Sequence, residues 1–153
     1  MQVKLSKAKL SDIESMQELV IPEVEAGVIL ARSSDEIATN IRSYILAKEG
    51  DEIVGFCALH IHTPELAEIR SLVVKENKRG MGIGQKLINQ AIEDAKLLGL
   101  KKVLSLTYKQ SFFEKLGFVE IPKSSLPEHK IWADCIKCKY FPVCNEVSLI
   151  KTL

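Results

Sequence analysis

The sequence predicts a mixed α/β fold, and three observations carry that prediction. The hydrophobic pattern switches between the helical and the strand period along the chain. The elements it marks run strand, two helices, three strands, helix, strand, helix, strand, an order that builds a sheet covered by helices. At 153 residues and 46% hydrophobic content, the chain has the length of about one domain and enough apolar surface for a core.

Residues 2–8 alternate well enough for a first strand. Ser11 and Glu14 have the spacing of a capping box, and Ile13, Met16, Leu19 and Val20 recur at helical intervals behind them. Pro22 and Gly27 are expected to interrupt that helix. A second capping box, Ser33 with Glu36, opens another helix with Ile37 and Ile41 on one side. Between them lies GVILARSS, too apolar for a mere linker.

From Tyr44 the period drops to two. YILAK, the turn EGDE and IVGFCALHI predict an antiparallel hairpin, and LAEIRSLVVK after Thr63-Pro64 adds a third strand. The next helix places Ile83, Leu87, Ile88, Ala91, Ile92 and Ala95 inward and ends at Gly99. KKVLSLT is a short buried strand, SFFEKLGF a short helix closed by Gly117, and FVEI begins another strand. No repeat or domain boundary interrupts the pattern. Residues 1–153 are therefore expected to form one domain, with a cysteine-containing C-terminal segment at about 126–153.

A formal net charge of +1 provides no global field for nucleic acid or an anionic membrane. No apolar run approaches the roughly 20 residues needed to span a bilayer, and lysines break the apolar positions of MQVKLSKAKLSDIE, so no signal-peptide core is present there. A cytoplasmic protein with a small-molecule substrate is expected. In that compartment Cys135, Cys138 and Cys144 are reduced thiols or metal ligands. The C-x-x-C pair is half of a zinc site, for which His129 or Cys57 could complete the set. The competing reading is three thiols packing a loop.

The segment KENKRGMGIGQKLI puts three alternating glycines, preceded by basic residues, at the start of a helix. Glycine carries a backbone-entropy penalty, so such a cluster calls for a conformational or contact reason. Unshielded N–H groups at a helix N-terminus, aided by the helix dipole, form a phosphate site. Two common phosphate motifs fail here on spacing. Both the P-loop and the dinucleotide fingerprint require a glycine where Gln85 stands.

With SLVVKENKRGMGIGQKLI, in which Arg79, Gly82 and Gly84 fit an R-x-x-G-x-G signature, and with FFEKLGF downstream, the chain resembles the GNAT superfamily of N-acetyltransferases over nearly its full length. The resemblance implies a central mixed, mainly antiparallel sheet flanked by helices, with acetyl-CoA as the acetyl donor. It implies backbone contacts from Leu72, Val73 and Val74 to the pantetheine arm. The turn of Arg79, Gly80, Met81, Gly82, Ile83 and Gly84 would wrap the pyrophosphate. LARS at 30–33, AEIRSLVV at 67–74, LTYKQSFFEKLGF at 106–118 and the tail LPEHKIWADCIKCKYFPVCNE look like a narrower group. These are short standalone relatives of the amino-acid N-acetyltransferases that make N-acetylglutamate for arginine synthesis.

Acetyl transfer to an amine needs a base for the ammonium, polarisation of the thioester carbonyl and an acid for the departing thiolate. The resemblance puts the base at Glu68, on the strand that should bind the acyl chain; partial burial would make it a better base, and a strand ion pair with Arg70 is the competing reading. The acid is open between Tyr108 and Thr107, because Phe113 stands where many superfamily members carry a tyrosine. Arg32 matches the arginine that grips the acceptor's α-carboxylate, with Leu30 and Ser33 beside it and Ser71 as a further substrate-binding residue. Lys130 or Arg70 would meet a second carboxylate. His60 and His62 share a strand face and could line the acceptor cleft. The expected function is acetylation of the α-amine of a small amino acid, glutamate first, by a protein that could be a homodimer. The alternatives are another small amine, a protein N-terminus, or a CoA-binding sensor that recruits a partner through its tail.

Overall fold

The molecule, a computed structural model, describes residues 2–125 and 146–153. The chain begins with β1 (Lys4–Lys7), α1 (Ile13–Glu25) and α2 (Ser34–Thr39). The strands β2 (Tyr44–Glu49), β3 (Glu52–Ile61) and β4 (Leu66–Val74) follow as a meander. After the glycine turn come α3 (Ile83–Leu98), β5 (Lys102–Thr107), α4 (Gln110–Lys115), β6 (Val119–Ile121) and β7 (Val147–Thr152). The strands form one sheet in the order β1-β2-β3-β4-β5-β7-β6. Among the described strands only the β4–β5 pair is parallel, joined by the crossover through α3.

Strand alternation divides the core in two. One face sends Ile45, Val54, Leu59, Ala67, Ile69, Val103 and Leu149 against α3, which answers with Ile83, Leu87, Ile88, Ala91, Ile92 and Ala95. This inward stripe on α3 is the one the helical period predicts. The opposite face sends Tyr44, Leu46, Phe56, Ala58 and Val73 against Met16 of α1 and Ile37 of α2. Leu87 is fully buried at the centre of the first layer. Leu87→Ala is expected to cost about 2–5 kcal/mol of stability, read as a lower denaturant midpoint at unchanged slope.

The Ser33 capping box forms as predicted. Glu36 N–H donates to Ser33 Oγ at 3.1 Å, and Ser33 N–H donates to Glu36 Oε1 at 3.3 Å. The Ser11 box does not open α1. A short 3-10 turn, Leu10–Asp12, precedes the helix, and Asp12 accepts from Lys9 N–H at 2.8 Å and from Lys48 Nζ at 3.2 Å. The turn is thereby tied to β2, a tertiary contact that local spacing cannot anticipate. Pro22 does not end α1 either, which runs on to Glu25. Met16, Leu19 and Val20 pack this helix on the sheet, and that burial outweighs the lost hydrogen bond.

The sequence reading missed β7. Its residues insert between β5 and β6, pairing Leu149 with both Ser105 and Glu120. Their alternation was visible in VSLIKT, but their partners lie some distance upstream.

Candidate active site

The site is built where two parallel strands part. The β4–β5 register runs from Leu66 opposite Lys102 to Ile69 opposite Ser105. Leu106 and Thr107 of β5 then pair with Ser148 and Val147 of β7, while β4 continues to Val74 beside β3. A bulge in β4 sits at the parting point. Ala58 of β3 faces Arg70 and Phe56 faces Val73, so Ser71 and Leu72 together oppose a single residue. Ser71 has φ +59°, the one positive φ at a non-glycine among the described residues. The parting opens a cleft of about 830 Å³, walled by Arg70, Ser71, Leu72, Val73 and Val74 on one side and by Ser105, Leu106, Thr107 and Tyr108 on the other. Its walls are thus peptide groups released from strand pairing, which suits a ligand that binds by backbone hydrogen bonds.

The glycine turn closes one end. Gly80 and Gly82 have φ of +80° and +81°, and a Cβ added at either would meet no protein atom within 4 Å. The glycines are therefore required by conformation, and they leave the backbone ahead of α3 open to an anion. Gly84 serves another purpose, since a Cβ there would lie 3.3 Å from Phe112 Cζ of α4. Ile83 is buried in the core and Met81 is exposed.

The three basic residues that precede this turn are paired. Lys78 lies 3.2 Å from Glu49, Lys75 bonds Glu52, and Arg79 Nη2 lies 2.6 Å from Glu23 of α1 while its Nε donates to Val74 O at 3.1 Å. The Lys75 ammonium holds the Glu52 carboxyl below its usual range. Arg79 consequently ties α1 to β4 across the mouth of the cleft. The most exposed of these pairs, Lys75–Glu52, contributes little to stability.

A second group of charges lies on the α1/α2 face of the sheet. Tyr44, Ala58 and Arg70 stand in register across three strands. Burial pushes the Tyr44 phenol above its usual pKa, while the Arg32 and Arg70 guanidiniums pull it down and Glu36 pushes it up. Both guanidiniums therefore lie near enough for their charge to be felt at Tyr44. The Arg32 side chain is 14% exposed and its Nη1 lies 3.7 Å from Glu36 Oε2, while the backbone carbonyl of Arg32 accepts from Gln17 Nε2 of α1 at 3.3 Å. Two residues before Arg70, Glu68 is 2% exposed. Its Oε1 is 2.7 Å from His62 Nε2, and Arg70 Nη2 is 3.0 Å from His60 Nδ1. The two imidazoles meet edge to face at 4.9 Å. The expected Glu68–Arg70 pair thus becomes a four-residue network whose contacts run diagonally across the strands, since His60 pairs with Glu68 in register but contacts Arg70, and His62, beyond the end of β3, contacts Glu68.

Residues 13–118 match the family model for the Acetyltransferase (GNAT) family. The chain belongs to the GNAT family. It is an acetyl-CoA-dependent N-acetyltransferase. It is 36% identical over 146 residues to an uncharacterized N-acetyltransferase of Chlorobaculum tepidum, covering 95% of this chain and 94% of that one. It is 30% identical over 119 residues to an amino-acid acetyltransferase of Mycobacterium tuberculosis, covering 75% of this chain and 67% of that one. In fold it resembles N-acetylglutamate synthase from Neisseria gonorrhoeae, solved with coenzyme A and N-acetyl-glutamate, at a TM-score of 0.89 and 22% identity. That likeness covers all of this chain but 35% of the synthase chain.

The cleft of this GNAT protein gathers Arg70, Ser71, Leu72, Val73, Val74, Arg79, Thr107 and Tyr108, the last 40% exposed. Glu68, Leu30, Arg32 and Ser33 lie outside its walls; Arg70 joins the two groups. Thr107 Oγ1 accepts Lys109 N–H at 2.9 Å, and Ser33 serves as the cap of α2. Phe113 packs between Phe112 and Phe118, each centroid 5.1 Å away, as a core ring. Sequence reasoning did not single out Tyr44 or Glu23, since neither belongs to a motif and only pairing across the fold reveals them. Lys130, His129, Cys135, Cys138 and Cys144 lie outside the described residues. Cys57 is fully buried against Leu87, with its thiol pushed up to about 12 by burial, which fits a core thiol better than a zinc ligand. No group of three metal-ligating side chains occurs among the described residues. Nor does any helix there have the length and apolarity to cross a membrane.

Proposed function

We propose that this chain acetylates the α-amine of a small amino acid bearing a second carboxylate, L-glutamate first, and so makes N-acetylglutamate for arginine synthesis. One observation carries the reading: Arg70 lines the cleft, Glu68 stands two residues before it on the same strand face, and the mostly buried Arg32 lies near enough that its charge, like that of Arg70, is felt at Tyr44. Two fixed guanidiniums suit two carboxylates. The amino-acid acetyltransferase relative of M. tuberculosis, and the synthase neighbour solved with N-acetyl-glutamate, support the same substrate class.

The donor fits the cleft. Peptide groups of Leu72, Val73 and Val74 would hold the pantetheine arm, and the free backbone at Gly80 and Gly82 would hold the pyrophosphate. Arg32 grips the α-carboxylate and Arg70 meets the side-chain carboxylate, which orients the amine. Glu68, buried outside the cleft walls, takes the ammonium proton through a water, the amine attacks the thioester carbonyl, and N–H groups at the β4 bulge stabilise the oxygen charge. Tyr108 protonates the departing thiolate. Thr107 is the second candidate, since its hydroxyl accepts a bond from Lys109 and still has its own proton to donate.

Thiol release from acetyl-CoA with a panel of amino acids tests the reading. Glutamate should be the best acceptor, with glutamine clearly weaker. Arg32→Lys keeps the charge but loses the planar fork, so it should raise the acceptor KM about 10- to 100-fold and leave the acetyl-CoA KM unchanged. Equal rates with glutamate and glutamine would remove the role of Arg70. Activity only on amines lacking a carboxylate would overturn the role of Arg32 and the glutamate reading together.

A further inference from the structure

We propose that Glu23 of α1 is a positioning residue for the coenzyme: it holds one edge of the Arg79 guanidinium, so that the remaining N–H groups are presented to the pyrophosphate. The inference rests on the reading of the glycine turn as the pyrophosphate site, which Gly82→Val tests separately. Glu23 lies in the last turn of α1, where the helix dipole disfavours a carboxylate that lacks a cation. Its backbone carbonyl accepts from Val28 N–H at 2.9 Å and from Ile29 N–H at 3.3 Å, which anchors the chain as it leaves the helix. The Glu23 side chain is 17% exposed and that of Arg79 48%, and both residues line the cleft. The guanidinium is thus open to a ligand on a carboxylate that is mostly enclosed.

A guanidinium carries its N–H donors in a rigid planar fork. In Arg79, Nη2 donates to Glu23 Oε1 at 2.6 Å and Nε donates to Val74 O at 3.1 Å. Nε and Nη2 share one edge of the plane, so the carboxylate and the carbonyl together fix its orientation. The donors on Nη1, and the second on Nη2, are left for a ligand. Glu23 also decides whether this arrangement survives when a ligand arrives. Its Oε2 is buried and has no hydrogen-bond partner among the described residues. If Arg79 left for a phosphate, Glu23 would keep a half-enclosed charge with no cation on either oxygen, a costly state. Arg79 therefore stays with Glu23 and Val74, and meets the phosphates with the donors that remain. An arginine already ordered in this way loses less side-chain freedom on binding than a free one. The role concerns affinity for the donor and leaves the acyl transfer itself untouched.

The test is calorimetric titration of the protein, Glu23→Gln, Arg79→Ala and the double variant with coenzyme A, and with pantetheine, which lacks the pyrophosphate. Glu23→Gln keeps the size and removes the charge that holds the guanidinium. It should raise the coenzyme A dissociation constant about 3- to 10-fold, the cost of ordering one long side chain on binding. Pantetheine should bind the protein and Glu23→Gln alike, a distinction that a merely structural role would not make. In the Arg79→Ala background Glu23→Gln should no longer weaken binding, because its effect passes through Arg79. A further loss in that background, or an equal loss for pantetheine, would overturn the positioning role. So would unchanged affinity for coenzyme A. Tighter binding by Glu23→Gln would make the carboxylate a competitor for Arg79, and would refute the proposal as well. Unchanged affinity in Gly82→Val would instead remove the pyrophosphate from the turn, and this inference with it. Should Glu23→Gln fail to fold, nitrogen NMR of the Arg79 guanidinium in the intact protein decides. Its Nε–H should stay protected from exchange when coenzyme A is added, and its release would count against the proposal.

Discussion

Glu68→Gln should lower kcat at neutral pH by roughly 10²–10⁴-fold, the usual contribution of a positioned general base. Glutamine keeps the size and one acceptor oxygen, so the His62 contact need not collapse and the fold should be retained. Much of the loss should disappear at alkaline pH, where the acceptor already presents a free amine. The ratio of rates at neutral and alkaline pH, from thiol release under saturating substrates, measures this directly. The competing outcome is specific: normal turnover with a lowered Tm would assign Glu68 to a structural pair with His62. The burial of both side chains makes either outcome large, since a buried charge that loses its partner is costly.

Gly82→Val should raise the coenzyme A dissociation constant about 10- to 100-fold, or about 1.4–2.8 kcal/mol. The residue precedes α3 in the left-handed region at φ +81°, where a β-branched side chain is strained. Relief of that strain turns the free N–H groups away from the phosphate position, and a side chain would also stand in the open space in front of them. Calorimetric titration with coenzyme A, beside a thermal melt to verify folding, gives the result. Unchanged affinity in a folded variant would remove the pyrophosphate from this turn. Gly84 provides a contrast: its substitution meets Phe112 of α4, so its cost should appear first in stability.

Much of this molecule was legible before any coordinate. The inward stripe on α3, the Gly50–Asp51 hairpin turn and the Ser33 capping box form as the sequence predicts. These features depend on residues within a few positions of each other, where period and turn chemistry act alone. The errors share the opposite property. Pro22 stays inside α1 because Met16, Leu19 and Val20 are held by the sheet, and Asp12 turns to Lys48, 36 residues away. The strand β7 went unread because its neighbours, β5 and β6, precede it in sequence and define it only by pairing.

The site divides along the same line. The sequence by itself determined the chemistry on offer: a glycine turn that frees backbone N–H groups, a carboxylate on the strand before it, and an arginine in an apolar loop. Motif spacing is a local property and survives without coordinates. Only the tertiary structure decided the partners. It bulged β4 at Ser71 and parted β4 from β5 to make the cleft. It neutralised Lys75, Lys78 and Arg79 with carboxylates from β2, β3 and α1. It gave His62 to Glu68 and brought the charges of Arg32 and Arg70 within range of Tyr44. Electrostatic energy falls with distance in space, not along the chain, so the pairing of charges waits for the fold to bring them near.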